Sequence, residues 1–277
     1  MKVIVLGSGE SCLDLSKEEI SEINNAEVRI AINKFALFSD KLGINYTHVY
    51  FNDIYGVNIY VEIIKSLSKR SDVTVITNRY LAHLTYSSIW GLVVSFWADV
   101  FYRLRSFLIA IVRLGRPGRS HELILARPFR YYRIEKDLKM NVIRTAPWDD
   151  KNALWAQRLD EPLFSFRGSI MSVLNFISVK CPGSEVVCVG TDFNGSRYFY
   201  EKELEESGID HEDHTTNEVK KQGIHYSFHD ISQGKLSDAF PKVLNSLAEK
   251  GISLTCNNER SLLVKECNVE YKSLRND

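Results

Sequence analysis

Lys2-Val3-Ile4-Val5-Leu6-Gly7-Ser8-Gly9-Glu10-Ser11 is the stretch that decides the fold. Five apolar or β-branched positions in a row describe a strand buried on both faces, as in a parallel sheet. Two glycines then open a sharp turn, where a ligand can approach bare backbone. In α/β proteins such a turn commonly faces a phosphate or nucleotide. It is not the dinucleotide fingerprint, because position 12 is Cys rather than the third Gly. It is not a Walker loop, because no Gly-Lys-Ser/Thr follows.

The next segments repeat the strand–helix alternation. Ser16-Lys17-Glu18-Glu19 reads as an N-cap with acids at the positive end of a helix. Val28–Ile32, Thr47–Phe51 and Asp72–Thr77 read as strands, and Tyr60–Leu67 has helical spacing. The pattern resumes with a helix over Gly168–Val179 and a strand over Glu185–Gly190. A helix over Lys235–Lys250 and a strand over Ile252–Cys256 complete it. This alternation predicts a single Rossmann-like α/β domain with a mostly parallel sheet. Asn33, Asn52 and Asp53 fall at the carboxyl ends of strands, where such sheets bind ligands. Asparagine also suits turns, so the residues alone leave both readings open. Residues 201–222 are charged without a clear period and read as a flexible excursion.

The middle differs in character. Ile89–Ala98 and Phe107–Val112 are two apolar runs, each too short to span a bilayer. Arginines 103, 105, 113, 116, 119, 127, 130, 133 and 144 surround them. Such interleaving suits a helix on an anionic membrane surface, or a helical subdomain packed on protein. Gly115–Arg119 reads as a mobile turn. The expected organisation is residues 1–80 and 163–277 as the nucleotide-binding α/β domain, with 81–162 inserted as a lid or a membrane- or oligomer-contact subdomain.

Formal net charge is zero, so no global field favours nucleic acid. The five cysteines form no CxxC pair, which points away from a zinc site or a disulfide framework and towards a cytoplasmic setting. The acids and glycines that follow the first five apolar residues do not suit a signal peptide.

Three further stretches carry chemistry. Gly190-Thr191-Asp192-Phe193-Asn194-Gly195-Ser196-Arg197-Tyr198 follows a strand and offers hydroxyls, a carboxylate, a guanidinium and a phenol. Arg167 and Ser169 stand at a helix start, an arrangement suited to phosphate. His225-Tyr226-Ser227-Phe228-His229 supplies imidazoles of the kind used as general bases near neutral pH.

In their order and spacing these pieces resemble the bacterial sialyltransferases of glycosyltransferase family 42, the lipooligosaccharide-modifying type. The likeness rests on Val3–Ser11, Asn33, Asn52, Phe166–Ser169, Gly190–Phe193 with Ser196 and Tyr198, Tyr226 with His229, and Ser261–Leu263. It covers about residues 1–55 and 163–265. The resemblance implies a glycosyltransferase A variant fold with a small lid. It implies metal-independent, inverting transfer of sialic acid or a related keto sugar, such as Kdo, from a CMP-sugar to a cell-surface glycan. No cofactor is implied beyond that donor.

By the same resemblance Gly7, Ser8, Gly9, Ser11, Asn33, Asn52, Ser169, Gly190, Thr191, Asp192 and Ser196 hold the nucleotide; Arg197, which the family pattern does not supply, is a further anion partner for its phosphate. His229 is the general base, with Tyr198, Arg167 and Tyr226 beside it. The partners implied are the donor, a glycan or glycolipid acceptor, and further copies of the chain in a tetramer. Peripheral contact with the inner face of the cytoplasmic membrane fits the arginine-rich middle. Where the family has Asn-Gly-Pro-Ser, this chain has Ser8-Gly9-Glu10-Ser11, and Asn194 replaces a phosphate-facing tyrosine. The competing expectations are a metal-dependent transferase using another nucleotide or pterin diphosphate, and a nucleotide-binding α/β protein without catalysis.

Overall fold

The structure is a computed structural model that describes residues 1–53, 56–67, 72–86, 88–112, 131–133, 138–194, 198–208, 224–229 and 234–275. It is an α/β fold built on a nine-stranded, mostly parallel sheet flanked by helices, as the opening alternation predicts. The strands are β1 (Lys2–Leu6), β2 (Val28–Ile32), β3 (His48–Phe51), β4 (Thr74–Asn78), β5 (Thr85–Tyr86) and β6 (Tyr132–Arg133). They continue with β7 (Lys139–Thr145), β8 (Pro162–Leu163), β9 (Glu185–Val189), β10 (Ser253–Cys256) and β11 (Glu270–Tyr271). The sheet order is β11-β10-β9-β1-β2-β3-β4-β7-β8, and β5 pairs with β6 separately.

The helices are α1 (Lys17–Asn25), α2 (Phe35–Phe38), α3 (Val57–Leu67), α4 (Arg79–Ala82) and α5 (Ile89–Val112). After them come α6 (Ser169–Lys180), α7 (Glu201–Glu206), α8 (Phe240–Glu249) and α9 (Leu262–Cys267).

β1 lies between β2 and β9 and is parallel to both. From β1 the chain passes to one side through β2 and β3, and later to the other through β9 and β10. The β1/β9 boundary is therefore a topological switch point, where open α/β sheets form their ligand crevice. Val3, Ile4, Val5 and Leu6 are fully buried, which explains why the strand reads as a continuous apolar run. Ser16 caps α1 in a reciprocal box: its side chain accepts from the Glu19 N–H (3.2 Å), and Glu19 accepts from the Ser16 N–H (2.9 Å).

The chain divides into two compact units. The first holds residues 1–50 and 143–209 with 213–277; the second holds 51–142 with 210–212. This differs from the division at 81 and 162 read from the sequence. Residues 153–164 stay with the first unit because Asn175 on α6 binds them. Its amide oxygen accepts from the N–H groups of Ala156 (3.0 Å) and Phe164 (2.8 Å), and its NH2 donates to Ala156 O (2.9 Å). Trp155 adds an indole bond to Ser178 (2.9 Å).

Two further details depart from the sequence reading. The apolar runs at Ile89–Ala98 and Phe107–Val112 belong to one helix, α5, of 24 residues. Part of the charged excursion is ordered as α7, anchored by the buried Leu204. One apolar residue in six gives no period to read. Residues 209–222 of that excursion, and the Gly115–Arg119 turn, lie outside the described residues. Among the described residues no helix is long and apolar enough to cross a membrane.

Candidate active site

The switch point brings the turn after β1 against the turn after β9. Gly7 N–H donates to Val189 O (2.8 Å) and Gly9 N–H to Gly190 O (2.7 Å). A Cβ on Gly7 would overlap the Gly190 carbonyl, and one on Gly9 would overlap the Asp192 carboxylate. Gly190 adopts a left-handed φ of 64°, and a Cβ there would strike Cys12 Sγ and Gly7 O. The glycines are thus required by backbone packed on backbone, and the Gly7 and Gly9 amides are spent within the protein.

Asp192 closes the same turn. Its Oδ1 accepts from Ser11 Oγ (2.5 Å) and Asn258 Nδ2 (2.8 Å), and its Oδ2 accepts from the Ser11 N–H (2.9 Å). Thr191 is also held internally: its carbonyl accepts from Ser261 Oγ (2.6 Å). Ser8 accepts from Phe199 N–H (3.2 Å) through its backbone carbonyl, and Gly9 bridges Tyr198. Tyr198 stacks on Tyr200 at 5.5 Å, and Tyr200 stacks on Phe38 at 4.8 Å. These contacts form an aromatic wall beside the turn. Burial pushes the Cys12 thiol well above its ordinary range, with the Asp192 charge adding to the effect.

A second cluster forms at the start of α6. Arg167 has a left-handed φ of 61° and is buried, and its backbone N–H donates to Trp148 O (2.7 Å). Its guanidinium lies 5.6 Å from the Trp148 ring centre and donates through Nη2 to His229 O (3.1 Å). Ser227 Oγ donates to the Arg167 carbonyl. His229 Nε2 lies 2.9 Å from Ile224 O. A carbonyl can only accept, so in the neutral ring Nε2 carries the proton and Nδ1 the lone pair.

Asn33, at the end of β2, reaches this cluster through Nδ2, which lies 3.4 Å from Ser169 Oγ. Its Oδ1 is buried and has no partner among the described residues. Its backbone is left-handed as well, at φ 52°. Four non-glycine residues among those described have positive φ: Asn33, Arg167, Phe193 and Asn268. Phe193 packs at 5.2 Å on Phe228 and at 5.3 Å, edge-on, against His225. Three of the four therefore surround this region. Strain of this kind costs about 1–3 kcal/mol per residue and gathers at functional sites.

The expected site residues thus separate. Arg167, Ser169, Asn33 and His229 come together. Gly7, Ser8, Gly9, Ser11, Gly190, Thr191, Asp192 and Tyr198 form the closed turn. Asn52 falls in the second unit, where its carbonyl accepts from Asn78 Nδ2 (3.3 Å). Ser196, Arg197 and the Tyr226 side chain lie outside the described residues, and the Tyr226 backbone opens a single 3-10 turn ending at Phe228. Sequence reasoning missed Asn258, Ser227 and Trp148. Asn258 was within reach, because it follows a strand just as Asn33 and Asn52 do. Trp148 carried no local signal.

The chain matches no protein-family model, no curated protein and no solved structure. Among the described residues, no three His, Cys, Asp or Glu side chains are grouped so as to hold a metal ion.

Proposed function

We propose that the chain is a metal-independent, inverting glycosyltransferase. It would move sialic acid or a related keto sugar from a CMP-sugar to a cell-surface glycan. The observation that carries this reading is the Arg167–His229 pair at the N-terminus of α6. A neutral imidazole with its tautomer set by a backbone carbonyl is suited to accept a proton. The Arg167 guanidinium and the helix N-terminus beside it favour a phosphate.

In the proposed reaction the acceptor hydroxyl attacks the anomeric carbon while its proton passes to His229 Nδ1. The bond from that carbon to the phosphate oxygen breaks, and CMP departs with the electron pair. Base catalysis of this type contributes ~10²–10⁴-fold. Arg167 and Tyr198 offset the charge gathering on the phosphate. The Asn33 Oδ1, buried and without a partner among the described residues, is an acceptor suited to a sugar hydroxyl or a cytosine amino group.

A thermal-shift panel of CMP, UDP, GDP, ATP and NAD tests the donor class, followed by turnover of CMP-sialic acid with and without EDTA. A shift with CMP alone and EDTA-resistant transfer are expected. A shift with ATP or GTP and a Mg²⁺ requirement would give the metal-dependent alternative. CMP binding without turnover of any CMP-sugar would give the non-catalytic one.

A further inference from the structure

In the second unit, α5 carries its polarity inside out. Ser95, Asp99 and Ser106 are each 3% exposed. Asp99 pairs with Arg103 at 3.3 Å and accepts from the Tyr131 hydroxyl at 3.0 Å. Tyr102 packs edge-on against Tyr80 of α4 at 5.8 Å. These residues recur at helical spacing and form the stripe that faces the unit. The opposite face is apolar and open: Trp90 is 77% exposed and Trp97 65%, with Val94, Phe101, Leu104 and Leu108 also exposed.

A soluble surface helix has the reverse arrangement. From Ile89 to Leu108, at about 1.5 Å per residue, α5 offers an apolar strip about 30 Å long. A contiguous patch of this kind marks an interaction surface.

We infer that the outward face of α5 is a seat for an anionic lipid bilayer surface, lying in the interface rather than crossing it. Charge selects this occupant. The sequence from 88 to 133 has eight arginines, no lysine and two acids, in a chain with zero net charge. On the helix, Asp99 is turned inward and Arg105 is exposed at the border of the apolar face. Anionic headgroups attract such a segment, and the two tryptophans suit the headgroup boundary. A second copy of the chain is disfavoured by symmetry. A two-fold contact would bring the exposed Arg105 of both copies to the same interface. The inference stands apart from the nucleotide-sugar reading.

Flotation of the full chain with vesicles tests it. Binding to phosphatidylglycerol-containing vesicles should exceed binding to pure phosphatidylcholine by at least about tenfold at low salt. The triple variant W90S/W97S/F101S should lose at least about tenfold of that binding, with an unchanged melting temperature because all three side chains are exposed. Arg105→Glu, which leaves the apolar face intact, should weaken binding to anionic vesicles and leave the neutral baseline alone. Equal binding to both vesicle types, or binding to neither, overturns the inference. An oligomer in solution that the triple variant dissolves overturns it in favour of a second copy.

Discussion

The turn after β1 and the corner at Arg167 sit in the same unit, yet they handle their polar atoms in opposite ways. In the turn, Gly7, Gly9 and Ser11 bond to Val189, Gly190 and Asp192 at the end of β9 and in the turn after it. The glycines there allow two backbones to meet. At the corner, non-glycine residues are held in left-handed backbone, a buried amide oxygen has no described partner, and an imidazole presents a lone-pair nitrogen. The turn satisfies its polar atoms internally, whereas the corner leaves the Asn33 amide oxygen without a partner among the described residues. A glycine-rich loop at a switch point is therefore not by itself a phosphate cradle.

The contrast separates variants that lose activity from variants that lose stability. His229→Ala is expected to have the largest effect, a 10²- to 10⁴-fold fall in CMP-sugar turnover, worth about 3–5 kcal/mol of barrier. Its melting temperature should stay near that of the parent. Turnover at the parental rate would remove His229 from the role of base.

Next comes Gly190→Ala, which forces a Cβ into Cys12 and Gly7 in left-handed backbone. Strain and overlap together should cost about 2–5 kcal/mol in urea unfolding. A stable Gly190→Ala protein would mean that the two turns can part.

Asp192→Asn places an NH2 among donors that now meet a carboxylate, and should cost about 1–3 kcal/mol. If stability held while CMP affinity collapsed, the carboxylate would belong to the ligand rather than to the turn.

Ser227→Ala removes the hydroxyl that donates to Arg167 O and should cost about 1 kcal/mol, with KM for the donor raised more than kcat is lowered. An unchanged KM would show that Arg167 needs no such support.

The smallest effect concerns Cys12, whose thiol is held protonated by burial and by Asp192. Ellman's reagent at pH 8 should leave it unmodified in the native protein. Above its ordinary value of 9.0 the unfolded chain ionises while the folded one does not. This group therefore contributes stability below that pH and loses it as pH rises further. Rapid native labelling would reveal an opening turn.

Much of the fold was legible because its signals are local. β1, β2 and β9 read correctly as apolar runs, and Ser16 with Glu19 announced the start of α1. α5 was harder, because Asp99, Arg103 and Arg105 interrupt its apolar runs and its polar stripe faces inward. α7 stayed hidden because only Leu204 is buried. At the site, Arg167, Ser169 and His229 were recognisable by chemical type. Their meeting was not, because a separation of 60 positions between Arg167 and Ser227 leaves no trace in the sequence of a bond between them.

The sequence by itself determined the alternating elements, the parallel sheet and the set of reactive side chains, since propensity, caps and hydrophobic period act over a few neighbours. Only the tertiary structure decided what Gly7 and Gly9 are for, which nitrogen of His229 carries the proton, and which side of α5 faces out. Those properties depend on what approaches from elsewhere in the chain: the Gly190 carbonyl, the Ile224 carbonyl and the Tyr131 hydroxyl. A glycine has one sequence signature whether a phosphate or a backbone lies against it, and packing alone tells the two apart.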